Sequence, residues 1–131
     1  MQLSNEQIKE FGDKGFIVMK GFFDRATMDN ISSHLDELRD KEPAEGEEAK
    51  YYEKSPITGE NILVRVENVL GDHSPEFSEL LLPPKATECL SELLGEEPVL
   101  FKEKANYKMP GCRADKLHQD QAAGWNAYGD F

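Results

Sequence analysis

The sequence predicts an α+β domain. Three observations point there: apolar residues recur at helical spacing in the first third and again near residue 90, β-branched runs bounded by Gly and Pro occupy the middle and the end, and no segment repeats. With 131 residues, 38% of them apolar, the chain is long enough to bury one core, so residues 1–131 are read as a single domain.

The elements follow in order. Ser4 and Gln7 have capping-box spacing, Ile8 and Phe11 give the first helix its apolar face, and Gly15 ends it. Phe16-Ile-Val-Met19, bounded by Gly15 and Gly21, predicts a short strand. Asp24 caps a second helix from Arg25 to about Lys41, where Met28, Ile31, Leu35 and Leu38 form one buried stripe with His34 beside it, read as a partly exposed helical histidine. Glu42-Pro-Ala-Glu-Gly-Glu-Glu-Ala49 reads as a solvated acidic loop. After Tyr51-Tyr52 and the turn-like Ser55-Pro-Ile-Thr-Gly59, the run Asn61 to Leu70 is a strand carrying Arg65, and His73 falls in a turn without ligand spacing. Pro83-Pro84 opens a helix with Leu90, Leu93 and Leu94 on one side and Cys89 in the core, closed by Gly95. Two more strands are expected, from Val99 to Lys108 and from Lys116 to about Gln121.

Composition narrows the function. A formal net charge of −11 argues against nucleic acid or an anionic membrane as partner, since phosphates demand clustered positive charge. No run of about 18 apolar residues could span a bilayer, and the Met1-Gln-Leu-Ser4 start lacks the basic and apolar regions of a signal peptide. Cys89 and Cys112 form no CxxC pair and suit reduced thiols. The expectation is a soluble cytoplasmic protein.

The chemistry gathers near the C-terminal end. On a strand, residues i and i+2 share a face, so His118 and Asp120 would point together as an imidazole–carboxylate clamp. With a second histidine, such a pair forms the facial triad of non-haem Fe(II) oxygenases, although an isolated HxD arises by chance in many proteins. In the preceding strand Lys102, Lys104, Asn106 and Lys108 alternate with Phe101, Glu103, Ala105 and Tyr107. Five basic and two acidic residues between Phe101 and His118 leave a local +3. That face fits a carboxylate-binding surface and a lysine-protected sheet edge equally well. Arg65 fits a buried carboxylate partner, a surface position or a ligand contact. Trp125 and Tyr128 fit a pocket wall or a core. Cys112 has no zinc-type partner, and neither a phosphate-binding Gly-rich loop nor a serine elbow is present.

Several segments together resemble one family. Leu3-Ser-Asn-Glu-Gln-Ile8 with Gly15-Phe-Ile-Val18, the Gly21-Phe-Phe-Asp24 link into a helix, Lys104-Ala-Asn-Tyr-Lys-Met-Pro-Gly111 and Leu117-His-Gln-Asp120 occur in an order similar to that of the phytanoyl-CoA dioxygenase-like Fe(II)- and 2-oxoglutarate-dependent oxygenases, in the branch with ectoine hydroxylase and aminoalkylphosphonate hydroxylases. The resemblance covers nearly the whole chain. It implies N-terminal helices packed on a double-stranded β-helix, or jelly roll, here incomplete. It implies Fe(II) held by His118 and Asp120, 2-oxoglutarate contacted by Asn106 and Lys104, and a small anionic substrate near Lys102, Arg65 and Trp125. No catalytic residue is implied beyond the metal ligands. O₂ would be the oxidant and hydroxylation of a C–H bond the outcome.

The family's distal histidine and the arginine that pairs with 2-oxoglutarate have no counterpart after Asp120. The expectation is therefore that residues 1–131 are the N-terminal part of a longer oxygenase, inactive alone and open to self-association through uncovered sheet and apolar surface. Two alternatives stand beside it: a non-catalytic jelly-roll module for an anionic ligand, and a homo-oligomer whose neighbour lends His34 or His73.

Overall fold

A computed structural model describes residues 2–71 and 74–129. Among these, helix α1 spans Asn5–Lys14, α2 Arg25–Asp40, α3 Pro75–Leu81 and α4 Pro84–Leu94. Strands β1 (Ala49–Lys54), β2 (Asn61–Glu67) and β3 (Lys104–Asn106) form one antiparallel sheet in that order, and 3-10 turns cover Asp120–Ala123 and Trp125–Ala127. The arrangement is α+β, as composition and periodicity predict. His73, read as a turn residue, lies outside the described residues.

Local chemistry accounts for the helices. Ser4 accepts from the Gln7 amide while the Gln7 side chain accepts from the Ser4 amide, a complete capping box. Gly15 closes α1 at φ +79°, a left-handed conformation in which a Cβ is strained. The Asp24 carboxylate accepts from the Thr27 amide and starts α2. Met28 of the expected stripe stays exposed, whereas Ile31 and Leu38 are buried.

One sheet face is covered and the other is open. Ile31 and Leu38 of α2, Leu63 and Val66 of β2, Val69, and Phe77 of α3 form the core, with Ala105 and Tyr107 packed against it. The Tyr107 hydroxyl donates to the Leu35 carbonyl at 2.5 Å, tying the end of β3 to α2. Leu63 and Val66 are three residues apart, an odd spacing that a plain strand would send to opposite faces. A bulge reconciles them: Tyr51 pairs with Arg65 but Tyr52 pairs with Leu63, so Val64 is the extra residue. Val64, Arg65 and Glu67 then face away from the helices. Asn68, at φ +60°, ends β2, and its side-chain amide donates to the Glu47 carbonyl.

Several expectations are corrected. Residues 16–19 form no strand, since no neighbouring strand takes their backbone groups. The acidic loop stops short of Ala49, which opens β1, a strand the sequence reading left out, and α3 is an additional helix. Glu48, at the loop's end, is buried beside Lys41 rather than solvated. The strand expected over Val99–Lys108 is only Lys104–Asn106, and the one expected over Lys116–Gln121 is irregular chain leading into a 3-10 turn at Asp120. No described helix is long and apolar enough to cross a membrane.

Candidate functional site

The open sheet face floors a groove of about 800 Å³. The seven residues that the family resemblance assigns to metal, 2-oxoglutarate or substrate line it: Arg65 from β2, Lys104 and Asn106 from β3, Lys102 just before β3, and His118, Asp120 and Trp125 from the closing segment. The register explains the floor. Tyr51, Arg65 and Asn106 are cross-strand partners in one row, and Glu67 and Lys104 pair in the next. The alternation read from sequence thus holds although β3 is short: Lys104 and Asn106 face the groove while Ala105 packs on the core.

The closing segment reaches the groove because the hairpin turn holds it. Ser55, 4% exposed, donates its hydroxyl to the Gly111 carbonyl at 2.7 Å and accepts from the amides of Ile57 and Thr58. Gly111 stands at φ +86°, and a Cβ there would lie 3.1 Å from Ser55 Oγ, so only glycine suits the position. Glu53 of β1 accepts from the Arg113 amide and ion-pairs its guanidinium at 3.1 Å.

His118 and Asp120 come together without a strand. His118 Nδ1 lies 2.7 Å from the Lys116 carbonyl, which can only accept, so in the neutral ring Nδ1 carries the proton and Nε2 has the lone pair. That Nε2 is 3.5 Å from Asp120 Oδ1, and both side chains are well exposed, at 60% and 73%. Two lone-pair donors facing one space, with the outer imidazole nitrogen fixed by a carbonyl, suit a divalent cation. No group of three or more His, Cys, Asp or Glu among the described residues is placed to hold a metal, so this is a pair. His34 lies on the helical layer, stacked 4.0 Å from Phe77 and 3.3 Å from Ser74 Oγ.

The charges around the pair are organised. Glu67 gathers three groove residues: the Tyr51 hydroxyl donates to Oε2 at 3.1 Å, and Arg65 Nε and Lys102 Nζ lie 3.2 and 3.3 Å from Oε1. Burial pushes the Glu67 carboxyl up, but the Tyr51 hydroxyl, Lys102 and Arg65 together outweigh it and hold the group below its ordinary value. Arg65 also lies 4.2 Å over the Tyr51 ring. Lys108 pairs with Asp115 on the groove wall, and a hydrogen bond from Lys108 lowers that carboxyl. Lys104 meets no carboxylate at ion-pair distance among the described residues. The Phe101 ring contacts both Trp125, at 5.5 Å, and Tyr128, at 5.1 Å, so Trp125 walls the groove and packs on an aromatic at once.

Two sequences similar to this chain bear on these groups. One, "2-aminoethylphosphonate dioxygenase" of the uncultured bacterium HF130_AEPn_1, is 40% identical over 120 residues, which cover 92% of this chain and 45% of the relative. The other, "methylphosphonate hydroxylase" of Gimesia maris, is 30% identical over 121 residues, covering 92% of this chain and 45% of the relative. The chain is similar to enzymes named for phosphonates. It spans about half the length of these curated relatives. No family model matches, and neither does any solved structure.

The sequence reading missed Tyr51, Glu67 and Arg113. The signal for Tyr51 was present: reading the Ser55–Gly59 turn as a hairpin makes residues before it a strand and sets a tyrosine opposite Arg65. Arg113 had no such signal, because its role depends on a loop folding back 60 residues to Glu53.

Proposed function

We propose that this chain carries the HxD portion of an Fe(II)- and 2-oxoglutarate-dependent oxygenase that hydroxylates a small phosphonate in the cytoplasm. The observation behind the reading is the His118–Asp120 pair, 3.5 Å apart, in the same groove as a cationic sheet face. The names of the two similar proteins supply the substrate class. In this reading the protein is a phytanoyl-CoA dioxygenase-like oxygenase, the three strands belong to a jelly roll, residues 1–131 form its N-terminal part, and a distal histidine and an arginine complete the site.

His118 Nε2 and the Asp120 carboxylate would hold the iron. Bound there, iron would couple O₂ and 2-oxoglutarate to the substrate, giving succinate, CO₂ and the hydroxylated product. The chain's own residues do the rest. The Lys116 carbonyl keeps Nδ1 protonated and so aims Nε2 inward. Asn106 and Lys104 offer an amide and a cation to 2-oxoglutarate, while Arg65 and Lys102 offer a guanidinium and an ammonium to the phosphonate. Trp125, backed by Phe101, shields that space from water.

The test is succinate formation by the full-length protein with Fe(II) and 2-oxoglutarate, stimulated by 2-aminoethylphosphonate or methylphosphonate. Asp120→Ala is expected to drop turnover to background. Unchanged turnover in that variant would remove Asp120 from the site. Phosphonate binding that needs neither iron nor 2-oxoglutarate, with no succinate, would support a non-catalytic module instead.

A further inference from the structure

The Arg65 guanidinium is held on two sides and free on a third. Its Cζ lies over the Tyr51 ring, 4.2 Å from the centroid, and its Nε sits 3.2 Å from Glu67 Oε1. Nε is buried and makes no hydrogen bond, so the Glu67 contact is an electrostatic tether rather than a directed bond. The Tyr51 hydroxyl donates to the other oxygen of the same carboxylate. Tyr51 therefore touches both ends of the arrangement, stacking on the arginine and anchoring the glutamate that tethers it. Among the described residues, Nη1 and Nη2 of Arg65 meet no acceptor.

We infer that Tyr51 is the positioning residue that fixes Arg65 so that its free Nη edge reads a phosphonate oxyanion. The inference rests on the phosphonate reading above and deepens it. A free arginine samples many rotamers, and ordering one for each binding event weakens binding. An aromatic platform and a carboxylate tether remove most of that freedom before the ligand arrives, and the guanidinium fork matches two oxygens of a tetrahedral anion. Tyr51 pairs with Arg65 across the strands and lies on an edge strand, 39% exposed, so it acts on the groove without belonging to the core. Asn106 flanks Arg65 in the same row, which places the phosphonate beside the surface assigned to 2-oxoglutarate.

The experiment uses the full-length protein and two readouts: calorimetric affinity for 2-aminoethylphosphonate, with 2-oxoglutarate titrated separately, and steady-state succinate formation. Tyr51→Leu is expected to weaken phosphonate binding by roughly threefold to tenfold, the loss of a cation–π platform with its ordering effect, with the change falling on KM more than on kcat. Tyr51→Phe keeps the ring and should restore most of the affinity. Arg65→Lys should weaken phosphonate binding on its own and abolish the effect of Tyr51→Leu in the double variant, since both act through one contact. Phosphonate affinity in Tyr51→Leu equal to wild type would overturn the inference. So would a loss confined to 2-oxoglutarate, or additive losses in the double variant. Affinity is read without turnover: a wild-type protein that binds phosphonate but forms no succinate sinks the oxygenase reading, while the Tyr51 comparison still supports or overturns the positioning role.

Discussion

Phe77 is 1% exposed, with its ring face against His34, so a single side chain closes the core between α2 and α3. Phe77→Ala is expected to cost about 3–5 kcal/mol, through lost burial and the cavity left behind. Urea unfolding of the full-length protein would show it as a lowered midpoint at unchanged slope; a shift worth less than about 1 kcal/mol would mean that the site collapses or that Phe77 is not the keystone. His34 and Cys89 were legible from sequence as a helical histidine beside an apolar stripe and a small core residue, because both follow from 3.6-residue periodicity. The groove cations were legible for the matching reason at period two. The role of Glu67 was not: a glutamate in a strand gains three partners only when β1 and the chain around Lys102 arrive beside it.

At the scale of elements, what could be read was what is local. The caps of α1 and α2 involve groups three residues apart, and both appear as the spacing requires. Hydrogen bonds from the Thr27 amide, then from its side chain, hold the Asp24 carboxyl below its ordinary value of 3.8. A depressed folded-state value means that the cap contributes fully above the ordinary value and is lost as pH falls through the lower one. Asp24→Asn still caps but does not titrate there, so its stability should fall less steeply in acid than that of wild type. Thermal melts from neutral pH downward would check this, and coincident acid limbs would show that the cap carries no such linkage. Strands were less legible because their stability is non-local: residues 16–19 have strand composition and no partner, whereas Ala49–Lys54, charged and aromatic, forms β1 because β2 is there to pair with it.

At the scale of the whole molecule, α2 and α3 pad one face of the sheet among the described residues, and the groove lies on the other. Val99, ahead of β3, is 87% exposed, and in the closing segment Tyr128 is 72% exposed and Leu117 fully exposed, leaving apolar side chains in solvent. Such surface drives association. Residues 1–131 expressed alone are expected to sediment as species larger than the monomer, and Val99→Lys with Leu117→Lys should shift them toward it. A monodisperse monomer that binds no hydrophobic dye would contradict that expectation. The closing segment also shows why a correct pairing came from an incorrect element: His118 and Asp120 meet because the chain after Gly111 is fastened to the hairpin and turns at Asp120, although no strand carries them.

Val64, the extra residue of the bulge, makes the groove a matter of counting. In an unbulged β2, Leu63 in the core would send Arg65 into the core with it and turn Val66 outward. With Val64 itself removed, the run Leu63-Arg65-Val66 would alternate inward, outward, inward as in a plain strand, so the guanidinium is buried only where Val64 is kept and forced into the ladder. The anion-facing surface therefore depends on Val64 staying out of the ladder, and a single-codon deletion there would remove the bulge while leaving Arg65 toward the groove and Val66 toward the core.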